Sequence, residues 1–283
     1  MTPVIAAATR AALLVLRQGP RDLTMLKRLV HGSHDQSQMM SERLQATQNP
    51  HRLRLAVCSE GCAWCCYQGV LVSVPEALLL AEYLRATRPE PELAALVARA
   101  ADRNERGRDM DHVQRFRARL PCPLLDEASG ACTVHEVRPG SCRAYVSSDV
   151  SACRKAFDDR DADLPIPTDG VHQRAVNSVW HGVIAACIGE GLEPGPVELS
   201  AALAVALREP RALERWFAGE RLFEQARTRI ARDAEPITHR NAQAGLQMAR
   251  TLDGGSAPAP PRVADDSEAA RRARNKRKRE RKR

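Results

Sequence analysis

Aromatic residues are scarce in this sequence: among 283 residues, Phe, Trp and Tyr together make up only 4%. The strands of β-sandwiches are usually rich in aromatic and β-branched side chains. Alanine, leucine and arginine are abundant instead, and all three favour helices. A hydrophobic content of 43% is still ample for a buried core. The composition therefore predicts a mainly α protein.

Long hydrophobic runs are also missing, and no stretch approaches the roughly 20 apolar residues that a helix needs to cross a bilayer. The apolar opening segment, residues 1–17, is interrupted by Arg10 and has no charged region before it. It predicts an amphipathic helix rather than a signal peptide. We therefore expect no membrane partner and a cytoplasmic location, where disulfides are uncommon. An odd number of cysteines, nine, also argues against a simple disulfide framework.

Net positive charge is missing from the bulk of the chain, although the whole chain carries +8. Ten basic residues and one acid, Glu280, lie in the segment 271–283, whose charge of +9 leaves residues 1–270 at −1. Residues 252–283 are rich in Gly, Ser, Pro, Ala and charge, a composition that cannot bury enough apolar surface to fold. We predict a disordered basic tail, either merely solvated or binding nucleic acid weakly and without sequence specificity through phosphate contacts.

The common catalytic signatures are missing too. There is no Walker-type lysine loop and no nucleophile elbow, and the glycine-rich segment 189–195 follows a predicted helix where a dinucleotide-binding loop needs a strand. That segment predicts a helix stop and a turn. Cys58, Cys62 and Cys65 have the spacing of radical S-adenosylmethionine enzymes, but the alternating strands and helices of their barrel are not predicted here. No catalytic residue is assigned, and enzyme activity stays open.

Cysteine, by contrast, is plentiful and falls into two groups. Four cysteines lie within nine residues, and four more follow at wide, regular spacing among prolines and glycines that predict tight turns. Thiols this crowded oxidise readily unless something occupies them, and soft thiolates select zinc or iron–sulfur clusters over magnesium and calcium. We predict two four-sulfur sites, or one site with auxiliary thiols, formed by Cys58, Cys62, Cys65, Cys66, Cys122, Cys132, Cys142 and Cys153.

Other candidate ligands have ordinary explanations. Cys187 lies alone on the apolar stripe of a predicted helix, so we expect it in the core. His31 and His34 lie three residues apart on a predicted helix but lack a third ligand. Ser73 and Glu76 have the spacing of a capping box at the start of an apolar stripe, so Glu76 is predicted to cap a helix.

Helices are predicted on both sides of the cysteine groups. Apolar residues recur at helical spacing within the approximate segments 4–17, 22–47, 76–84, 92–101, 110–120, 176–189, 197–208 and 211–232. The stretch of 55 residues between Cys66 and Cys122 is long enough to return the chain to its start, so that the two groups can meet. We predict four parts: an N-terminal helical segment 1–50, a cysteine-cluster domain 51–157, a C-terminal helical region 171–250 and the basic tail 252–283.

The cysteines occur in a recognisable order with other motifs. The order runs Cys58, Gly61-Cys62-Ala-Trp-Cys65-Cys66, Val72-Ser-Val-Pro-Glu76, Cys122-Pro, Gly130-Ala-Cys132, Arg138-Pro-Gly-Ser-Cys142-Arg143 and Cys153. Over residues 58–153 it resembles the YkgJ-type cysteine-cluster family, described as zinc- or iron-chelating domains.

The resemblance implies a small metal-chelating module whose biochemical role is mostly unassigned. Some members are named iron–sulfur oxidoreductases, and a related cluster occurs in flagellin lysine methylases. An iron–sulfur redox or methyl-transfer enzyme is therefore the alternative function. Beside the eight cysteines, His135 is a further candidate ligand, and Arg138 and Arg143 are expected to stabilise thiolates or to form structural contacts.

Overall fold

A computed structural model describes residues 1–47 and 57–253, and these residues are mainly helical, as predicted. The helices are α1 (Thr2–Arg17), α2 (Leu23–Thr47), α3 (Val74–Thr87), α4 (Glu90–Gly107), α5 (His112–Arg117), α6 (Gly140–Ala144), α7 (Val150–Asp159), α8 (Gly170–Gly189), α9 (Leu199–Arg208), α10 (Ala212–Phe217) and α11 (Arg229–Leu252). Short 3₁₀ helices lie at Trp64–Tyr67, His135–Val137 and Glu224–Ala226. The predicted basic tail lies almost wholly outside the described residues.

Helix α8 lies at the centre of the fold, because its apolar residues are buried around most of its circumference. Helices α1, α2 and α6 all contact it. Helix α1 approaches closely at Gly182, where an added Cβ would lie 2.4 Å from the Cβ of Ala8. Cys187 also lies on α8 and is fully buried, as predicted for a core thiol, and burial raises its pKa to about 12.

A second layer is formed by α3, α4 and α9, which pack against one another. It is joined to the cysteine region by a two-stranded antiparallel sheet of β1 (Leu71–Val72) and β2 (Val197–Glu198), with Leu71 opposite Glu198 and Val72 opposite Val197. The sequence pattern predicts the helix start at Ser73 and Glu76 but no strand before it. The strand character of β1 depends on a partner far away in the sequence, which local periodicity cannot reveal.

The predicted capping role of Glu76 is confirmed. Ser73 is the N-cap of α3, and its backbone N–H donates to Glu76 Oε2 at 2.8 Å. Acidic side chains also accept hydrogen bonds from the first backbone N–H groups of five other helices, α2 among them through Asp22, which stabilises helix N-termini. The caps of α5, α7, α8 and α9 are, in that order, Asp111, Asp149, Asp169 and Glu198.

The predicted helix over 211–232 is wrong as a single element. Helix α10 ends at Phe217, Gly219 adopts a left-handed conformation with φ of +87°, and α11 begins only at Arg229. The intervening chain is held by the Glu193 carboxylate, which accepts hydrogen bonds from the backbone N–H groups of Leu222 and Phe223. Because these N–H groups donate to Glu193, they cannot form the backbone hydrogen bonds that a continuous helix would need.

Residues Met1–Ala249 form one compact unit. Its apolar core draws on the N-terminal helices, the cysteine region and the C-terminal helices, as Leu26, Leu124 and Leu203 illustrate. Within residues 1–47 and 57–253, none of the helices has both the length and the apolar character required to cross a membrane.

Candidate metal centre

The two cysteine groups are joined through their backbones. The N–H of Cys122 donates to the carbonyl oxygen of Cys66 at 2.7 Å. Gly61 and Gly130 also touch, since a Cβ added to Gly130 would lie 2.6 Å from the Gly61 carbonyl oxygen. Both glycines have positive φ angles, +82° and +70°, which favour glycine. The segment that contains α3, α4 and α5 thus brings the chain back to the first cysteine group.

Ser147 organises the outer end of the first group. Its backbone N–H donates to the Cys58 sulfur at 3.4 Å, and its hydroxyl donates to the carbonyl oxygen of Pro167 at 3.0 Å. Ser147 is buried, whereas Cys58 is exposed. Backbone N–H groups that point at sulfur are typical of thiolate sites. The sequence analysis missed this serine because no spacing rule connects it to Cys58.

Cys153 lies on helix α7, although the sequence analysis treated the second group as loop-like throughout. The same helix carries Phe157, whose ring lies 5.3 Å from the Trp64 ring and 4.6 Å from the Tyr67 ring, centroid to centroid. These aromatic contacts hold α7 against the 3₁₀ helix that contains Cys65 and Cys66. They also place apolar surface beside the thiols.

Cys122 and Cys132 lie on the two arms of one loop. An antiparallel bridge pairs Leu125 with Cys132, and the N–H of Thr133 donates to the carbonyl oxygen of Leu124 at 3.0 Å. The tight turns predicted from prolines and glycines are therefore present in this loop. They bring the two cysteines of the loop close to each other.

The mutual effects of the thiols sort them into two neighbourhoods. Burial raises the pKa of Cys62, and Cys58, Cys65 and Cys153 raise it further. Burial likewise raises the pKa of Cys142 to about 12, with additional contributions from Cys65 and Cys132. We call the two sets the outer neighbourhood, Cys58, Cys62, Cys65 and Cys153, and the inner neighbourhood, Cys65, Cys122, Cys132 and Cys142.

Cys65 belongs to both neighbourhoods. A hydrogen bond with the adjacent Cys66 and then burial raise its pKa, while Arg138 acts in the opposite direction. Thiols with raised pKa values stay protonated at neutral pH unless a cation takes the place of the proton. A soft metal ion would supply that charge.

The sulfur atoms themselves do not yet converge. Among residues 1–47 and 57–253, no three His, Cys, Asp or Glu side chains are arranged to hold a metal ion as they stand. The donor chemistry nevertheless fits zinc or an iron–sulfur cluster, because the eight thiols are free and soft. Each sulfur is one rotatable bond from the backbone. Metal binding therefore requires these thiols to turn toward a common point.

The three histidines considered as candidate ligands have different surroundings. His135 is exposed on its 3₁₀ helix, and its backbone N–H, rather than its ring, bonds to the carbonyl oxygen of Cys132 at 3.3 Å. His31 is exposed on α2. His34 faces Glu76 with an Nε2 to Oε1 distance of 3.9 Å.

The two arginines of the family pattern have different surroundings. Arg143 clamps the turn before α6, since its Nε donates to the Arg138 carbonyl oxygen at 3.0 Å and its Nη2 to that of Glu136 at 2.7 Å. These two hydrogen bonds are structural contacts. The Arg138 guanidinium lies near Cys65 and Cys142, where its charge favours the thiolate form of both.

Comparison with protein families agrees with the prediction from the cysteine pattern. The family model CxxCxxCC, described as "Putative zinc- or iron-chelating domain", matches residues 57–163. The matched segment contains all eight cysteines and the helices from α3 to α7, and it supports metal binding without deciding the metal or an activity. No curated protein and no solved structure matches the chain.

Proposed function

We propose that residues 57–163 bind zinc or an iron–sulfur cluster through thiolates from both cysteine groups. The observation that supports this most directly is the hydrogen bond from Cys122 N–H to the Cys66 carbonyl at 2.7 Å. It keeps the two groups adjacent before any metal arrives. The match to a chelating family adds independent support.

The two neighbourhoods favour two four-sulfur sites over a single site with spare thiols. The outer site would use Cys58, Cys62 and Cys153 with one member of the vicinal pair. The inner site would use Cys122, Cys132 and Cys142 with the other member. Adjacent side chains tend to point apart, so Cys65 and Cys66 are suited to serve different sites.

Residues around the thiolates would supply positive charge to the metal sites and exclude water from them. Arg138 offsets part of the negative charge that gathers on the thiolates, and the rings of Trp64, Tyr67 and Phe157 limit solvent access to the outer site. Zinc in a closed set of four thiolates would be structural, whereas an iron–sulfur cluster would supply electron transfer. The redox or methyl-transfer alternative rests on the resemblance alone.

Anaerobic purification, elemental analysis and a visible spectrum test the proposal. We expect either a colourless zinc protein or a brown, oxygen-sensitive iron–sulfur protein. The variants Cys62→Ser and Cys142→Ser, one in each neighbourhood, should lower both the metal content and the melting temperature, because each removes a ligand.

Cys187→Ala provides the matched control. This thiol is buried on α8 outside the two neighbourhoods, so its loss should reduce stability while leaving the metal content unchanged. Full metal content in both serine variants would contradict the proposal. A wild-type protein that contains neither zinc nor iron after anaerobic purification would do the same.

A further inference from the structure

A buried carboxylate connects the cysteine module to helices outside it. Glu76 is only 5% exposed, yet it accepts four hydrogen bonds. Its Oε2 receives the backbone N–H and the hydroxyl of Ser73, at 2.8 and 2.7 Å, and the indole N–H of Trp180 at 2.9 Å. Its Oε1 receives the backbone N–H of Gly140 at 2.7 Å. Helix capping accounts for the Ser73 contacts only.

The contact with Gly140 fixes the start of α6. Gly140 is the first residue of this helix, and Cys142 follows two residues later. There is little free space around Gly140, since an added Cβ would lie 3.2 Å from Glu76 Oε1. The next residue is held as well, because the Ser141 hydroxyl donates to the Leu71 carbonyl oxygen at 2.5 Å.

His34 reaches the same carboxylate oxygen from helix α2. Its Nε2 lies 3.9 Å from Glu76 Oε1, is buried and has no hydrogen-bond partner. An unpartnered buried nitrogen is unfavourable unless a neighbouring charge compensates it. Oε1 is therefore the point at which α2, α3 and α6 meet.

Charge does not explain why a carboxylate lies here. The negative charge of Glu76 adds to the raised pKa of Cys142 and so opposes formation of the thiolate. Its benefit to a metal site must therefore be geometric. A rigid acceptor at Oε1 holds the backbone of α6 in a fixed place relative to the other thiols.

We propose that Glu76 is a positioning residue that holds Cys142 in the inner neighbourhood by accepting the Gly140 N–H at Oε1. The inference rests on the proposed function, in that Cys142 is taken as a ligand. It implies that helices α2 and α3 shape the metal site although they carry none of the eight cysteines.

The variant Glu76→Gln tests this with little change in shape. A Gln side chain has only one acceptor oxygen, and three hydrogen bonds are donated to Oε2 whereas one, from the Gly140 N–H, is donated to Oε1. The amide NH₂ group will therefore be placed toward Gly140, where two donors then oppose each other. The α6 contact is lost while the cap of α3 remains.

The matched control is Trp180→Phe. It removes one donor from Oε2 but leaves both Ser73 contacts and the Gly140 contact in place. Circular dichroism and thermal melting establish that both variants fold. Loss of general stability would affect the two variants alike, whereas loss of positioning affects only Glu76→Gln.

Two measurements are compared across wild type and both variants. The first is zinc affinity, measured by competition with a chromophoric chelator. Glu76→Gln should bind zinc about 10- to 100-fold more weakly, as is usual when a residue that supports a metal ligand is lost. Trp180→Phe should bind zinc like wild type. The second is the alkylation rate of each thiol in the metal-free protein, by mass spectrometry at several pH values. The pH series separates a change in exposure from the fall in the pKa of Cys142 that loss of the Glu76 charge causes by itself. At equal thiolate fraction, Cys142 should react several-fold faster in Glu76→Gln, with Cys58 unchanged.

Wild-type affinity and Cys142 reactivity in Glu76→Gln would overturn the inference. Equal losses in Trp180→Phe would overturn it too, because they would show a general effect on the fold. If the wild-type protein binds no metal, the proposed function fails, while the alkylation rates in the metal-free protein still decide whether Glu76 positions Cys142.

Discussion

At the scale of single residues, Cys65 is the cysteine whose contacts bear most on the proposed metal sites. It is the thiol that interacts with members of both neighbourhoods and also forms a hydrogen bond with Cys66. Cys58, in contrast, is exposed and interacts with the outer neighbourhood only. The sequence predicts the eight cysteines as ligands, but their division into neighbourhoods depends on long-range folding.

We therefore expect Cys65→Ser to lower metal content more than Cys58→Ser does. The first variant removes a thiol that lies between the two neighbourhoods, so that its loss disturbs both sites, and the second removes an exposed thiol at the edge of one. Elemental analysis of the two proteins, purified in parallel without oxygen, measures the difference. Equal metal content in the two variants would argue against a shared role for Cys65.

Glu76 makes stability depend on pH on the acidic side. Burial alone would raise its pKa above the ordinary 4.5, but His34 and the N–H groups of Gly140 and Ser73 more than compensate, so the pKa is lowered. The folded protein therefore binds this proton less readily than the unfolded chain does. The ionised carboxylate stabilises the fold above pH 4.5, and this contribution is lost as the pH falls toward the lowered pKa.

This gives a prediction for the metal-free protein. Between about pH 5 and pH 3, the free energy of unfolding of wild type should fall more steeply than that of Glu76→Gln. At neutral pH the variant should be less stable by about 1–3 kcal/mol, because a buried donor loses its acceptor. Urea unfolding at a series of pH values gives the free energy of unfolding of both proteins. The other acidic groups contribute equally to the two curves, so the difference between them reports on Glu76. Parallel curves would contradict the assignment.

At the scale of elements, periodicity located most helices but not their interruptions. Helices α1 and α2 lie within about two residues of their predicted bounds. The break between α10 and α11 was missed because Glu193, from another part of the chain, holds the backbone there. The β1–β2 pairing and helix α7 were missed for similar reasons. Local patterns specify local structure, whereas these features depend on partners distant in sequence.

The glycine contact between the two cysteine groups can be tested at this scale. Gly130→Ala should lower metal content, because the new Cβ would lie 2.6 Å from the Gly61 carbonyl oxygen and force the two segments apart. Gly19→Ala is the control: its φ of +92° imposes comparable backbone strain, but nothing lies within 4 Å of its added Cβ. Elemental analysis and thermal melting compare them. Both should lose stability, and only Gly130→Ala should lose metal.

At the scale of the whole molecule, charge and structure are divided along the chain. The segment 271–283 carries +9 while residues 1–270 sum to −1, so any attraction to polyanions should be confined to the predicted tail. We expect a chain that ends at Leu252 to lose weak RNA binding but to keep its metal content. Full-length affinity should fall steeply between about 50 and 200 mM salt. Fluorescence anisotropy measures both, and unchanged affinity after truncation would contradict the prediction.

The Cys66 to Cys122 hydrogen bond also sets an order of events during synthesis. A nascent chain that has just emerged as far as Cys66 presents four thiols whose later companions have not yet been translated. Those companions become available only after three intervening helices have been made. Maturation with metal is therefore expected to come late, and the early thiols must stay reduced until translation has passed Cys153.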